Sequence, residues 1–509
     1  MTVFYSKSHW SAYLTASLRI IPVVLALALS ACSKGASPTA NPDPGQSLAP
    51  TKTQKPGRTP AGNTTPVGGA TPGSKITPTR RSTSSAGTEA LDLHGTTIRF
   101  WYILPAQAAE VGDVMVALVD EFNRSNQWSI QVETTGYNDS GTLAEKALAA
   151  KSSNTLPDVL EGTIDQALSW DTAGRVFVDL NPYINDPEWG LTAAEQGDFY
   201  SIYWDQDIGP GKRLGIPFYR SAQLMFYNTT WAKELGYDSA PETPQEFRAQ
   251  ACAATRAVKT ANKTSGSPDN TGTGGWAISL EPSSLASWIF AFGGEIARSD
   301  GKGYQLDTPE ASRALTFLKG LQTDGCAWLP EDLHPNAEFA DRKALFITSS
   351  ITNLASQQAA LDTAGSTDHW TVIPYPSTDG QPVMDVYGPA LMIVKSRPNV
   401  QQAAWVFIKW LVSPLNQARW VKVHGLLPTR ASTRNYLSDY ATNHPQWAAA
   451  ADLWPYAYEE PRYASWGAFR WALNDASKQL FSPDLKASQI PDLLKTLDKT
   501  AAEVYIQVR

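Results

Sequence analysis

Three cysteines, six histidines and 49 carboxylates are the side chains of this 509-residue sequence with chemistry to offer, and their spacing narrows what that chemistry can be. Cys32 stands alone at the end of Leu29-Ser30-Ala31-Cys32, directly after an apolar run. Cys252 and Cys326 remain as an even pair, which outside the cytoplasm favours a disulfide over two buried thiols. Closing a loop of ~75 residues contributes about 4 kcal/mol in the chain-entropy view. No histidine sits in a His-Glu-x-x-His or similar ligand spacing, which argues against a catalytic zinc. There is no Gly-x-Ser-x-Gly elbow. The stretch NTGTGG from Asn270 lacks the spacing of a dinucleotide fingerprint and reads as a surface turn. Carboxylates are plentiful, but no local signature pairs an acid with a base, as a secreted glycan-active enzyme requires. The expectation is a binding protein without metal or cofactor, with such an enzyme as the competing class.

Elements before residue 90 say where the chain works. Lys7 and Arg19 precede the apolar run Ile20 to Ala31, which is too short for a bilayer span of ~20 residues. This is the order of a secretion signal, and Leu29-Ser30-Ala31-Cys32 resembles the bacterial lipobox, whose cysteine carries diacylglycerol. Residues 1–31 then read as a lipoprotein signal peptide. Residues 32–90 read as the lipid anchor and a linker rich in Pro, Gly, Ser and Thr, without enough apolar residues to order itself. A flexible chain of ~60 residues reaches roughly 45 Å. The expected place is the outer face of the bacterial cytoplasmic membrane. Net charge is −7 and the sequence contains no long basic run, so nucleic acid is not an expected partner. Eighteen tryptophans either fill a large core or line a pocket for a ligand with flat apolar faces, such as a sugar.

From residue 91 onward strand and helix patterns alternate. TIRFWYIL (Thr97 to Leu104) reads as a buried strand, Val111, Met115, Leu118 and Phe122 as one helix face, and WSIQVETT (Trp128 to Thr135) as a second strand. Thr142 and Glu145 fit a capping box, and LPDVLEGT (Leu156 to Thr163) gives a third strand. The pattern predicts α/β layers on a largely parallel sheet, with ligands at the carboxyl ends of strands. Tyr137 and Glu161 lie at two such ends. Tyr137 can stack or donate, or pack on its own lobe. Glu161 can accept two hydroxyl donors, or serve as a strand-end acid or helix cap. Further on, LGIPF and QLMFYN flank YRSA, TPQE (Thr243 to Glu246) is a capping box, Thr308-Pro309 starts another helix, and VYGPALMIV (Val386 to Val394) is a strand.

The ordered set GTLAEKALAAKSSNTLPDVLEG, GIPFYRSAQLMFYNTTWAKELGY, FADRKALFITSSI and YGPALMIVKSRPNVQQAAWVFIKWLVSPLNQARWVKVHGLLPTR resembles the family 1 extracellular solute-binding proteins of ABC importers. That group includes maltose-binding and glycerol-3-phosphate-binding proteins. The resemblance implies an α/β fold of two lobes, the type II periplasmic-binding-protein clamshell, with mixed sheets flanked by helices and strands crossing the hinge. It implies crossings near Tyr219 to Leu224, Tyr375 to Val386 and Leu411 to Asn416. Lobe one would be 91–219 plus 380–412, and lobe two 220–379 plus 413–509. The partners implied are a small-molecule ligand, the permease transmembrane subunits and, through Cys32, the membrane, with the protein a monomer. The cleft residues implied are Tyr137, Glu161, Ser221, Ser350, Tyr387 and Gly388. To these we add Trp288 as a stacking platform, with Trp466 and Arg470 facing the cleft from the C-terminal helices. A neutral saccharide bonded by Glu161 and stacked on tryptophan is the expected ligand. A phosphorylated polyol held by Arg470 is the alternative, and a ligand sensor of the same fold is a third reading.

Overall fold

The computed structural model describes residues 91–104, 109–265 and 273–508. The expected signal peptide 1–31, Cys32, the expected linker to residue 90 and the start of the expected turn at Asn270 lie outside the described residues. Alternation builds β1 (Thr97–Ile103): Ile98, Phe100 and Tyr102 are buried on one face. The helix α1 (Ala109–Ser125) lays Met115, Leu118 and Phe122 against that face. Next comes β2 (Gln131–Tyr137), which starts later than the apolar pattern at Trp128 suggests because Ser129 turns the chain with φ 52°. The helix α2 (Ser140–Ser153) starts under Asp139, whose Oδ1 accepts from the Thr142 N–H at 2.7 Å, so this cap replaces the expected Thr142–Glu145 box. After β3 (Val159–Gly162), α3 (Ile164–Trp170) and α4 (Ser201–Gln206), the chain enters β4 (Ile216–Pro217) and β5 (Tyr219–Asn228).

A second group follows: α5 (Pro244–Ser265), β6 (Trp276–Ala277), α6 (Pro282–Ala291), α7 (Pro309–Thr323), β7 (Ala327–Trp328) and β8 (Phe346–Ser350). The capping box at Thr243 is present: Glu246 accepts from the Glu242 and Thr243 N–H groups, and Thr243 Oγ1 accepts from Glu246 N–H. Then come β9 (Trp370–Ile373), β10 (Met384–Tyr387), β11 (Ala390–Ile393), α8 (Pro398–Leu411), α9 (Pro414–His424) and β12 (Leu427–Pro428). The chain ends through α10 (Pro445–Asp452), β13 (Ala457–Glu459), α11 (Trp466–Leu480) and α12 (Ile490–Gln507).

Two sheets organise these elements. The first has the order β2-β1-β3-β11-β4. It is parallel across β1, β2 and β3, where strand and helix alternate, and antiparallel where β11 returns from far along the chain between β3 and β4. Aromatic contacts such as Phe100 with Phe407 of α8 fill one face, and Leu143, Ala147 and Trp170 of α2 and α3 fill the other. The second sheet has the order β13-β10-β5-β8-β6-β7, with β9 and β12 also paired to β5. Its central strand β5 is buried along its whole length. Helices α5, α6, α7, α11 and α12 share a core on the face that carries Met225 and Tyr227. A disulfide joins Cys252 of α5 to Cys326, next to β7, with the Cα atoms 4.5 Å apart.

The chain passes between the sheets at Phe218, between β4 and β5, and returns at Gly388 and Pro389, between β10 and β11. These crossings are sharper than the stretches expected, because β5 and β10 already pair with each other from Ser221 and Tyr387 onward. The stretch Leu411 to Asn416 is a turn into α9, which packs on α1, and not a crossing. Arg220 pins the two crossings together. It is wholly buried, and its guanidinium donates to the Pro389 carbonyl at 2.8 Å, the Tyr219 carbonyl at 2.9 Å, the Tyr203 carbonyl at 3.0 Å, Gln206 Oε1 at 2.6 Å and Asp207 Oδ2 at 2.7 Å. Replacing Arg220 with Ala leaves Asp207 buried without its cation. It should lower the unfolding free energy by about 3–5 kcal/mol in a urea titration, and a loss below about 1 kcal/mol would show that solvent carries this charge pair.

Candidate functional site

Residues of odd number in β5 share one face of the second sheet. Along it, Met225 and Tyr227 face the helical core, while Ser221 and Gln223 make the end nearest the crossing polar. Register sets Tyr387 and Asp385 of β10 opposite Ser221 and Gln223, and Ser350 of β8 opposite Gln223 on the other side. The Ser221 and Ser350 hydroxyls hydrogen-bond at 2.9 Å. The Tyr387 hydroxyl points toward Gln223 Oε1 at 3.5 Å. Burial pushes that hydroxyl up to about 12, against the hydrogen bonds from Ser350 and Ser221.

The start of α11 roofs this patch. The Trp466 Nε1–H donates to Glu460 Oε2 at 2.7 Å. Arg470, one turn along, pairs with Glu460 and donates to Ser283 Oγ at 3.0 Å, while Ser283 Oγ–H donates to Glu460 Oε1 at 2.9 Å. The Arg470 guanidinium lies 5.9 Å from the centre of the Tyr387 ring. Burial works against the charged form of Arg470, and the neighbouring Glu460 above all outweighs it, so the group stays a cation. Asp385 is wholly buried, and neither of its carboxylate oxygens has a hydrogen-bond partner among the described residues. Burial, with Glu460 adding to it, holds its carboxyl well above the usual carboxylate range, and Arg470 pulls the other way.

From the first sheet, Asp165 in the opening turn of α3 reaches the same place. A Cβ at Gly467 would lie 3.0 Å from Asp165 Oδ2, so the missing side chain lets α11 approach α3. Burial raises the Asp165 carboxyl, and Glu460 raises it further against Thr163 and Arg470. Beside the cluster a cavity of about 740 Å³ opens between the two sheet systems. Leu168 and Gly209 line it on one side, Arg298, Glu460 and Arg462 on the other. Glu460 therefore belongs both to the polar cluster and to the cavity wall. No grouping of His, Cys, Asp and Glu among the described residues could hold a metal ion.

The structure thus brings together Ser221, Ser350, Tyr387 and Arg470; Trp466 reaches Glu460 through its Nε1–H, but its ring is buried in the helical core against Tyr304 and Phe469 and, contrary to expectation, offers the cleft no open face. It adds Gln223, Ser283, Asp385, Glu460 and Asp165, which the sequence reading did not single out. Gly388 touches this region as backbone: a Cβ there would come within 2.7 Å of the Tyr219 carbonyl oxygen, so its small size serves the crossing. Tyr137 stands apart at the end of β2, half-buried and edge-on to Trp101 at 5.3 Å.

Two further expectations need correction. Glu161 is wholly buried, and its oxygens are taken by the Tyr219 hydroxyl at 2.6 Å and the Ile103 N–H at 3.0 Å. It is a core link between β3 and the first residue of β5, without a free acceptor for a ligand. Trp288 is wholly buried too, ringed by Phe247, Trp276 and Tyr375 at 5.3, 5.8 and 5.4 Å. Every residue of α6 after Pro282 is buried, so this tryptophan is core and offers no open face.

A family model described as bacterial extracellular solute-binding protein matches residues 117–482. The chain belongs to that family. Solved structures of similar fold include the sugar-binding protein MalE from Xanthomonas citri, with a TM-score of 0.69 at 21% identity over 81% of this chain and 98% of that one. The cyclic alpha-maltosyl-1,6-maltose binding protein from Arthrobacter globiformis gives a TM-score of 0.67 at 18% identity, over 81% and 99% of the two chains. UgpB from Mycobacterium tuberculosis, solved in complex with glycerophosphocholine, gives 0.62 at 20% identity, over 81% and 98%. The solute-binding protein has the two-lobed type II fold expected, with mixed sheets and hinge-crossing strands. The expectation of a binder and not an enzyme agrees with the family.

Glu161 gives this solute-binding protein a pH dependence. Burial raises its carboxyl from 4.5 to about 7, against the bonds from Tyr219 and Ile103. Between those values the native state holds a proton that the unfolded chain has released. Its stabilising share is complete below about pH 4.5 and is lost as pH rises through about 7, a total of about 3 kcal/mol. Urea unfolding at pH 5 and pH 8 should show the wild type losing more stability over that range than Glu161→Gln, and equal losses would refute the assignment.

Proposed function

We propose that this chain is an extracytoplasmic solute-binding lipoprotein that captures a mono- or oligosaccharide between its lobes and delivers it to the transmembrane subunits of an ABC import permease. Lobe one is built on the five-stranded sheet and lobe two on the larger sheet, and they close about the crossings at Phe218 and at Gly388–Pro389. Cys32 carries the lipid, the linker lets the monomer range near its permease, and binding shifts the population toward the closed form.

One observation carries the choice of ligand: the polar patch of Ser221, Gln223, Ser350 and Tyr387 lies where the strands cross, with the half-buried ring of Tyr387 among its polar groups. Hydroxyls, an amide and ring faces are what a sugar needs, since it offers hydroxyl groups along its edges and C–H groups on its faces. The sugar-binding relatives from Xanthomonas and Arthrobacter support the same class. The glycerophosphocholine complex of UgpB supports the runner-up, a phosphorylated polyol on Arg470. Charge speaks against it, because Arg470 is already paired with Glu460 and feels Asp385 and Glu281 as well. A phosphate arriving there would meet carboxylates on several sides.

A thermal-shift screen of the purified protein against neutral and amino-substituted saccharides, polyols and glycerol-3-phosphate tests the reading. A saccharide at 100 times its Kd should stabilise by about 2.7 kcal/mol. Tyr387→Phe combined with Ser221→Ala should then weaken binding between about fivefold and a hundredfold, at roughly 0.5–1.5 kcal/mol for each hydrogen bond lost. A shift with glycerol-3-phosphate alone would replace the saccharide with the runner-up.

A further inference from the structure

The patch carries more negative charge than a neutral ligand calls for. Asp385 on β10, Glu460 before α11 and Asp165 on α3 act on a single guanidinium, Arg470, and Glu281 stands at the exposed rim. Arg470 gives its short contact to Glu460. Glu460 has its remaining acceptor capacity engaged by Ser283 and Trp466. Asp385 is left with two buried oxygens and no donor among the described residues, although Gln223 lies directly across the strand pair. A buried acceptor without a donor is costly, and nearly all such groups in folded proteins have a hydrogen-bond partner. Burial alone favours the protonated carboxyl, and a donor that also carries positive charge is the partner that lets it ionise and take up both oxygens. A cation with N–H donors satisfies the orphaned oxygens and the excess charge together, and a half-buried tyrosine ring stands beside the spot.

We propose that the acidic cluster of Asp385, Glu460 and Asp165, beside the cavity that Glu460 lines, receives the protonated amine of an amino-substituted saccharide. This rests on the reading of the chain as a saccharide binder and narrows it to a ligand class. The ammonium hydrogen-bonds to Asp385, its charge is shared with Glu460 and Asp165, and the sugar ring lies toward Tyr387. Because Asp165 comes from the first lobe and the other two acids from the second, the ammonium draws the lobes together.

The probes are three disaccharides of one skeleton: cellobiose, the fully N-acetylated chitobiose, and its free-amine form. Isothermal titration of the full protein should give a Kd for the free amine at least about tenfold below those of the other two. Asp385→Asn, nearly isosteric and without charge, should reduce that preference to below about twofold. Should Asp385→Asn fail to fold, the wild type still decides: its Kd for the free amine should rise as pH passes the value at which the ligand amine deprotonates, while that for the N-acetyl form changes far less. Choline, a quaternary cation without N–H donors, should bind weakly. Equal affinity for all three disaccharides overturns the amine site and leaves the saccharide reading standing. Binding of none of them, with glycerol-3-phosphate bound instead, overturns both.

Discussion

The buried Arg220 guanidinium joins three pieces of chain that must meet before a cleft can exist. It sits at the second residue of β5 and bonds to the Pro389 carbonyl just before the returning strand and to Gln206 and Asp207 at the end of α4. A guanidinium stripped of water is tolerable because its donors find fixed acceptors, one of them a carboxylate. Burial pushes Asp207 up and Arg220 pulls it back, so each ion is the condition for burying the other. The site hangs directly from this anchor. Ser221 follows Arg220 in the chain, and Tyr387 stands two residues before Pro389. A shift of either strand by one residue would turn both side chains to the opposite face. The anchor therefore sets which residues look into the cleft, and the lobes must move about it.

Much of the fold was legible because local patterns carried it. The TIRFWYI alternation, the Thr243 box and the Thr308-Pro309 start all report backbone states that neighbouring residues decide. Where a local rule failed, a nearer competitor had won: Asp139 reaches the Thr142 N–H before Thr142 can itself become a cap. The crossings were placed loosely because a strand reads the same whichever sheet it joins. The sequence separates two strand patterns by YRSA, yet β5 takes YRSA in, and pairing with β10 on one side and of β4 with β11 on the other places the break at Phe218.

The site was half legible, for a different reason. Ser221, Ser350 and Tyr387 came from the family pattern, and they do gather, with the added Arg470 beside them. Gln223 and Asp385 were within reach by the period of two, each lying two residues from a residue already chosen on its strand. Glu161 and Trp288 misled because residue type does not reveal burial. Glu161 meets Tyr219 across 58 positions of sequence. Trp288 looks like an open platform until α6 is seen to be enclosed on all sides.

Gly467 shows how close approach and charge are reconciled in one place. A side chain there would strike Asp165, so its absence admits α3 to the start of α11. The approach brings the Asp165 carboxyl toward Glu460, which raises it, and toward Arg470, which lowers it. Acids from both lobes thus share one cation, and each added acid makes close approach harder unless further positive charge arrives. Coulomb energy of this kind grows as water leaves the gap. A ligand that brings positive charge therefore gains most in the closed state, and that difference between states is the only quantity by which a ligand can drive closure.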